Sequence, residues 1–506
     1  MPATFRLVLV LIVLTSCSNN GKETPINLTE LTIVEITDGY EYGEFTAVQL
    51  TQAYLDRITA MDEEINAITY INPDALSRAE ELDQEFQRTG ELRPLHGIPI
   101  IVKDNINTVG LPTTAGSKAL RDFVPDQDAP IIQKLKEAGA IILAKSNMAE
   151  WAFSPMHSES STHGTTRNPY NLDHVPAGSS GGTAAAVAAN FGTVGLGTDT
   201  GNSIRGPSSH CALVGFRTTL GLISRSGIVP LYLRNDVVGP MCRTVEDATK
   251  VMEAMVGVDP TDPITSYSEG KTHEDYEQFL KGNDAQGKRI GVLRTLSDRD
   301  VDPEIKNLFE QALIDLSVIG AEIIDTVHIP GFDSLRQGQW CSTFRKDVEA
   351  FLATYVKSDT LQSLEDIIRA GTNSDFARGR LRANANSPER SGTPCGDAYT
   401  DQKRIAFREA IERVMDSLRL DAIVYPSWNH KPASINQFQE EYRGDNSQVI
   451  APHTGQPAFT VPMGYTEGNL PAGIQFLGRM YAEPTLIQLA YAYEQHTQHR
   501  SPPAVE

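Results

Sequence analysis

Short apolar runs alternate with helical patterns along this sequence, and this alternation is the feature that most restricts its fold. Residues 98–102, 140–144 and 194–197 have the length and apolar composition of buried strands. Residues 130–139 and 183–190 lie between these runs and are typical of helices. Strands and helices that alternate in this way build a sheet with helices on both faces. The sequence therefore predicts an α/β fold.

The same pattern continues towards both ends of the chain. Thr46 belongs to a residue type that caps helix N-termini, and apolar residues follow it at helical spacing as far as residue 61. Further helices are predicted at 73–87, 302–318 and 484–496, and further strands at 290–293, 422–425, 458–461 and 473–476.

Two stretches depart from this pattern. Residues 259–289 are polar and rich in turn-forming residues, which predicts a surface linker. Residues 332–420 are mixed and mostly helical in pattern, with a loose polar section at 371–397.

The composition excludes several classes of partner and site. The 506 residues carry a net charge of −21, so nucleic acid and anionic lipid surfaces would repel the protein. The histidines do not cluster, and neither a His-Glu-x-x-His nor a Cys-x-x-Cys motif occurs. We therefore predict no nucleic-acid partner, no metal site and no cofactor.

Three residues far apart in the sequence offer the chemistry of nucleophilic catalysis. Ser179 and Ser203 lie in glycine-rich turns 24 residues apart, and Lys103 directly follows the apolar run at 98–102. A serine hydroxyl is a weak nucleophile until a base removes its proton. A lysine can be that base when apolar surroundings lower its pKa and leave it neutral. The trio predicts a Ser-Ser-Lys hydrolase, and a structural Lys103 paired with Asp104 is the competing interpretation.

The run Gly178-Ser179-Ser180-Gly181-Gly182 also fits the Gly-x-Ser-x-Gly pattern of a nucleophile elbow, with Ser180 as the nucleophile. That elbow requires a buried strand immediately before it. The preceding residues, 171–177, are polar and contain Pro176, which argues against a central strand. No Gly-Lys-Ser/Thr follows the run, so it is not a P-loop. A plain glycine-rich turn is the remaining structural alternative.

The order and spacing of these motifs resemble those of the amidase signature family. Besides the surroundings of Lys103, Ser179 and Ser203, the resemblance rests on the runs at 211–217, 226–230 and 238–247. It is dense over residues 90–258 and returns at 421–427 and 455–478.

The resemblance implies an architecture as well as a chemistry. It implies a single large α/β domain at 41–506, with a mixed central β-sheet covered by helices on both faces. Within this domain it implies a signature core at about 90–258 and a variable helical segment on the substrate side at about 332–420.

The resemblance also assigns roles. Lys103 would be the neutral base, Ser179 the relay behind a cis Gly178–Ser179 bond, and Ser203 the nucleophile. The oxyanion would be stabilised by backbone N–H groups of the turn that consists of Thr200, Gly201, Asn202 and Ser203. Supporting roles fall to Ser180, Asp199 and Arg205, the last two as an ion pair.

Asn202 departs from the glycine that is usual in the family. If this position requires a positive φ, asparagine is among the best-tolerated residues. Its side chain would then narrow the pocket or add a hydrogen bond.

The activity implied by the resemblance is hydrolysis of a small-molecule carboxylic amide through an acyl-serine intermediate, without a cofactor. An esterase or a peptide-amide hydrolase on the same machinery is the nearest alternative. A catalytically impaired binding protein on this scaffold is another, because Asn202 replaces glycine. The family also contains the glutaminase subunit of tRNA-dependent amidation, and export would separate this chain from that partner. A homodimer remains open.

The N-terminus predicts export. Residues 7–14 are an unbroken apolar run behind Arg6, too short to span a bilayer but suited to a signal peptide. The run ends in Leu14-Thr15-Ser16-Cys17, which resembles a bacterial lipobox. This resemblance implies a signal peptide at 1–16, lipidation of Cys17, a tether at 17–40 and membrane contact through the lipid anchor alone. Ordinary secretion and an uncleaved anchor are the alternatives.

Four cysteines remain if Cys17 is lipidated: Cys211, Cys242, Cys341 and Cys395. An exported protein could oxidise them. Their spacing gives no pairing, and we expect them to behave as small buried hydrophobic residues.

Overall fold

The computed structural model describes residues 25–386 and 395–504. Within these ranges, no helix combines the length and the apolar character that crossing a membrane requires. The predicted signal peptide at 1–16 and the predicted lipidation site Cys17 lie outside the described residues.

The strands form where the sequence has short apolar or β-branched runs. Their bounds are β1 Ile68–Ile71, β2 Pro99–Lys103, β3 Ile141–Ser146, β4 Glu159–Ser160, β5 Gly164–Thr165, β6 Val194–Asp199, β7 Val214–Arg217, β8 Val237–Cys242, β9 Arg289–Val292, β10 Glu322–Ile324, β11 Ala422–Pro426, β12 Ala458–Thr466 and β13 Leu470–Leu477.

The helices have the following bounds: α1 Ile33–Tyr42, α2 Ala47–Ile65, α3 Ala75–Thr89, α4 Pro130–Glu137, α5 Gly181–Ala188, α6 Arg205–His210, α7 Val245–Met255, α8 Arg294–Ser297, α9 Pro303–Val318, α10 Phe332–Leu335, α11 Phe344–Phe351, α12 Leu364–Ala370, α13 Asp375–Asn386, α14 Gln402–Leu418, α15 Ala451–Thr454 and α16 Glu483–Thr497. Thr46 caps α2 as predicted, and its hydroxyl accepts the Gln49 N–H.

In the part of the chain that the structure describes, eleven strands join one mixed sheet in the order β1-β3-β2-β6-β8-β7-β12-β13-β11-β9-β10. Strand β2 runs parallel to both β3 and β6. From β6 through β8, β7, β12 and β13 to β11, neighbouring strands are antiparallel. The predicted strands at 98–102, 140–144 and 194–197 are thus β2, β3 and β6, adjacent in the sheet.

Helices cover both faces of this sheet. In β8, Met241 packs in a cluster with Ala184 of α5 and Ile204, just before α6. The next residue, Cys242, packs in the largest cluster with Met252 of α7. Successive strand residues point to opposite faces, so α5 and α7 lie on opposite sides of the sheet. The predicted α/β fold with a covered mixed sheet is confirmed.

Two predicted boundaries need correction. The described part of the predicted tether, residues 25–40, is packed against the domain, because Ile33, Ile36 and Tyr40 of α1 are buried in the main core. An apolar helical face of this kind requires a partner surface. The section at 371–397, expected to be loose, contains α13, whose Ala377 and Leu381 are buried.

Candidate active site

Lys103 is the last residue of β2, and its side chain is fully buried. Its Nζ lies 2.7 Å from Ser179 Oγ and 2.8 Å from Thr198 Oγ1. The Asp104 carboxylate instead pairs with Lys145, with Oδ1 3.6 Å from Lys145 Nζ. The alternative pairing of Lys103 with Asp104 is therefore not formed.

Burial lowers the pKa of Lys103 to about 7, although the charges of Asp199 and Asp236 oppose the shift. An ammonium group at this position has lost its water shell, which disfavours the charged form. Near neutral pH a large fraction of Lys103 is consequently a neutral amine, which can accept a proton from the Ser179 hydroxyl.

Ser179 lies in the loop before α5, and the Gly178–Ser179 bond is cis, as the resemblance implied. The Ser179 carbonyl accepts hydrogen bonds from the Ala149 N–H at 3.0 Å and from Ser158 Oγ at 3.3 Å. A Cβ at residue 178 would lie 2.3 Å from the His157 carbonyl oxygen, so only glycine fits there. The loop therefore has its backbone fixed on both sides of the Ser179 side chain.

Ser180 is engaged with β6. Its hydroxyl donates to the Thr198 carbonyl at 3.2 Å and accepts the Thr198 N–H at 3.3 Å. No strand immediately precedes it in the described chain, since 166–180 consist of turns, bends and irregular backbone with isolated bridges at 168, 171 and 174. The context that a nucleophile elbow requires is missing.

The turn at 200–203, here called the donor turn, follows β6 and lines a cavity of about 540 Å³. Among the described residues, none accepts a hydrogen bond from the four backbone N–H groups of the donor turn. Unpaired N–H groups beside a cavity can stabilise negative charge on a bound oxygen. Ser203 lines the same cavity.

Asp199 and Arg205 hold the donor turn in place. Their predicted ion pair is present at 3.1 Å, and Arg217 also contacts Asp199 at 2.8 Å. Burial alone would raise the pKa of Asp199, but the two arginines outweigh it and hold this pKa below its usual range. Arg205 also donates to the Gly201 carbonyl at 2.7 Å, so its side chain holds the backbone of the turn in place.

Asn202 differs from its expected conformation. It is absent from the described non-glycine residues with positive φ, so the left-handed backbone considered for this position is wrong. Its Nδ2 donates to the Pro155 carbonyl at 3.3 Å, and its Oδ1 lies 3.5 Å from Ser203 Oγ. The backbone of Asn202 is therefore outside the left-handed region, and its carboxamide lies beside Ser203.

The outer part of the cavity comes from both the signature core and the predicted substrate-side segment. The core supplies Phe153, Met156, Leu231 and Tyr232, and the segment supplies Trp340, Cys341, Ser342, Phe376 and Arg380. Most of these side chains are apolar or aromatic, which favours an organic group over a small ion.

Cys341 and Cys395 form a disulfide, with Cα atoms 6.1 Å apart. The expectation that all four cysteines are buried thiols is therefore wrong for this pair, and it holds for Cys211 and Cys242. The bond links the two ends of the segment that contains α11, α12 and α13. Cys341 lines the cavity, so the disulfide restrains this wall. The pairing joins residues 54 apart, a contact that spacing alone does not reveal.

Thr198 and Asp236 are among the site residues that the sequence did not predict. Thr198 Oγ1 receives hydrogen bonds from Lys103 at 2.8 Å and from Asn105 Nδ2 at 3.1 Å. Asp236 accepts the Thr200 hydroxyl at 2.6 Å and ties the donor turn to the loop at 231–236. Only the position of Thr198, at the end of an apolar strand before the turn, could have pointed to it.

Neither a metal site nor a second basic catalyst is evident among the described residues. No cluster of three or more His, Cys, Asp or Glu side chains within 25–386 and 395–504 could hold a metal ion. His210 is buried, burial lowers its pKa to about 3, and its ring packs against Trp428.

Comparisons with known proteins agree with this geometry. The Amidase family model matches residues 49–487. A probable amidase of Arabidopsis thaliana is 36% identical, over 96% of this chain and 94% of its own. A glutamyl-tRNA(Gln) amidotransferase subunit from Alkaliphilus metalliredigens is 33% identical, over 93% and 97%. The native peptide amidase of Stenotrophomonas maltophilia superposes with a TM-score of 0.83 at 36% identity, covering 94% of this chain and 98% of its own. This chain belongs to the amidase signature family.

Proposed function

We propose that this protein hydrolyses a carboxylic amide through an acyl-Ser203 intermediate. The observation that carries the proposal is the 2.7 Å contact between the buried Lys103 amine and the Ser179 hydroxyl, beside a turn whose N–H groups have no acceptor in the described chain. A neutral amine, a relay hydroxyl and an oxyanion site are the parts that acyl transfer to a serine requires.

The reaction begins when neutral Lys103 accepts the Ser179 proton while Ser179 accepts the Ser203 proton. Ser203 Oγ bonds to the amide carbon, and the carbonyl oxygen gains negative charge that the donor turn stabilises. The C–N bond then breaks, and the proton returns from Lys103 through Ser179 to the leaving nitrogen. Water attacks the acyl-Ser203 ester by the same route, which releases the acid and restores the serine.

Peptide-type amides are the candidate substrate class. The support is the 36% identity with a peptide amidase over nearly the whole chain, together with the aromatic cavity wall. Action as part of an amidotransferase is a second candidate, because several relatives near 33% identity carry that name. Amide hydrolysis by the purified chain without any added partner protein would favour the first candidate.

The site of action proposed here is outside the cytoplasm, with the chain anchored as a lipoprotein through Cys17. The lipobox-like run at 14–17 is the first support. The disulfide between Cys341 and Cys395 is the second, since disulfides persist mainly in oxidising compartments.

The test of the proposed activity is product release from a panel of aliphatic, aryl and peptide amides by the purified chain, with Ser203→Ala as the matched control. We expect ammonia or amine from at least one class, and none from the control. Equal product from the two proteins would contradict the proposal.

A further inference from the structure

Gln448 brings an unused hydrogen-bond acceptor to the catalytic cavity. Gln448 lines the cavity together with Ser203. A Cβ atom at Gly201 would lie 3.3 Å from Gln448 Oε1 and 3.1 Å from the Trp340 ring. Gly201 belongs to the donor turn, so this amide oxygen lies beside the place where a substrate carbonyl has to bind.

Two hydrogen bonds fix the orientation of the Gln448 amide. Its Nε2 donates to Asp445 Oδ2 at 2.8 Å and to the Tyr442 hydroxyl. Tyr442 in turn donates to Asp445 Oδ2 at 3.2 Å, which closes a three-residue cluster. Both N–H bonds of Nε2 are thereby used, and a side-chain amide has no other donor.

The amide oxygen therefore keeps its lone pairs for a ligand. No N–H or O–H of the described residues donates to Gln448 Oε1. An oriented acceptor inside a cavity with apolar walls recognises an N–H group, and it rejects an analogue that lacks the N–H.

The geometry also indicates which N–H group is recognised. The leaving nitrogen has to reach the Ser179 hydroxyl, which is hydrogen-bonded to Lys103. Lys103 also bonds to Thr198, which lies before the donor turn in the sequence. Gln448 and Trp340 meet the turn at Gly201 instead. The acceptor is therefore left for the acyl part of the substrate.

We propose that Gln448 is a specificity residue whose Oε1 accepts an N–H on the α-carbon of the acyl group. The preferred substrates would then be amides of α-acylamino acids. The inference rests on the proposed amide hydrolysis and adds to it the chemical feature that the site selects.

The test uses two ligands that differ in one atom: N-acetyl-phenylalanine amide and its 2-acetoxy analogue, in which an ester oxygen replaces the α-N–H. The kcat/KM ratio of the pair is measured for the full chain, for Gln448→Met and for Gln311→Met. Gln311 is exposed on α9 and does not line the cavity, so it is the matched control. The Kd ratio is measured in parallel on Ser203→Ala, with and without Gln448→Met.

We expect the unaltered chain and Gln311→Met to favour the N–H ligand by about tenfold or more, and Gln448→Met to reduce the ratio to near one. Turnover of both ligands with a ratio near one would overturn the role of Gln448 and leave the proposed function intact. A missing preference in the Kd ratio would also overturn it. Absence of turnover combined with a Gln448-dependent Kd ratio would instead contradict the proposed function alone.

Discussion

Lys103 and Ser179 are 76 residues apart in the sequence, yet Nζ of one lies 2.7 Å from Oγ of the other. The lysine ends the buried strand β2, and the serine lies in a glycine-rich loop that the 149 and 158 regions hold in place. Because the contact is buried, the lysine amine is poor at holding a proton and suited to accepting one.

The first prediction concerns pH. Burial lowers the pKa of Lys103 to about 7, and Asp199 and Asp236 oppose that shift. The base has to be neutral, so kcat/KM on an uncharged amide should fall as pH drops below about 7 and level off above it. Lys103→Ala, checked for folding by circular dichroism, should lose ~10²–10⁴-fold of the activity. A profile that is flat across neutrality, or near-full activity in the folded variant, would contradict this role.

Arg205 gives the second prediction. It holds the Gly201 carbonyl and pairs with Asp199, so it orients the donor turn without touching the substrate. Lysine keeps the charge but lacks the planar fork, so Arg205→Lys should lower kcat by about 10–100-fold and change KM less. The same substitution at the exposed Arg413 is the control. A change confined to thermal stability would show a purely structural role.

Sequence patterns identified most of the sheet because its strands are short apolar runs. Strands β2, β3 and β6 were predicted within two residues at each end, since a buried parallel strand leaves a local signature. Helix α1 was missed. Its buried face, with Ile33 and Ile36, occupies a stretch too short to stand out from a polar tether.

Some residues of the site could also be predicted from local sequence patterns, and others could not. Lys103, Ser179 and Ser203 lie in recognisable local motifs, so the contact between Lys103 and Ser179 and the position of Ser203 in the cavity could be expected from the family resemblance. Asp236 and Gln448 reach the donor turn through contacts between distant parts of the chain. Such contacts depend on tertiary packing and leave no pattern in a single sequence.

Asn202 gives the third prediction. Its backbone has no positive φ, and its carboxamide lies beside Ser203, so the residue shapes the cavity rather than the N–H donors. Asn202→Gly should keep kcat/KM on a good substrate within about tenfold and broaden acceptance of bulky acyl groups. Both proteins are compared across amides of increasing acyl size. An inert natural chain that Asn202→Gly activates would identify an impaired scaffold instead.

The fourth prediction concerns export. Cys17→Ser should release the protein from membranes or block its processing, since it removes the thiol that would carry the lipid. Membrane and soluble fractions are compared by immunoblot, and the N-terminus is determined by mass spectrometry. A wholly cytosolic natural protein that retains Met1 would show that this assignment is wrong.

The identity of the nucleophile is the central claim, and a fluorophosphonate adduct tests it most directly. Ser203 lines the cavity beside backbone N–H groups that have no acceptor among the described residues, whereas the Ser180 hydroxyl donates to the Thr198 carbonyl. Peptide mass spectrometry of the labelled protein should therefore place the adduct on Ser203, and Ser203→Ala should remain unlabelled. An adduct on Ser180 with Ser203 unmodified would contradict the account.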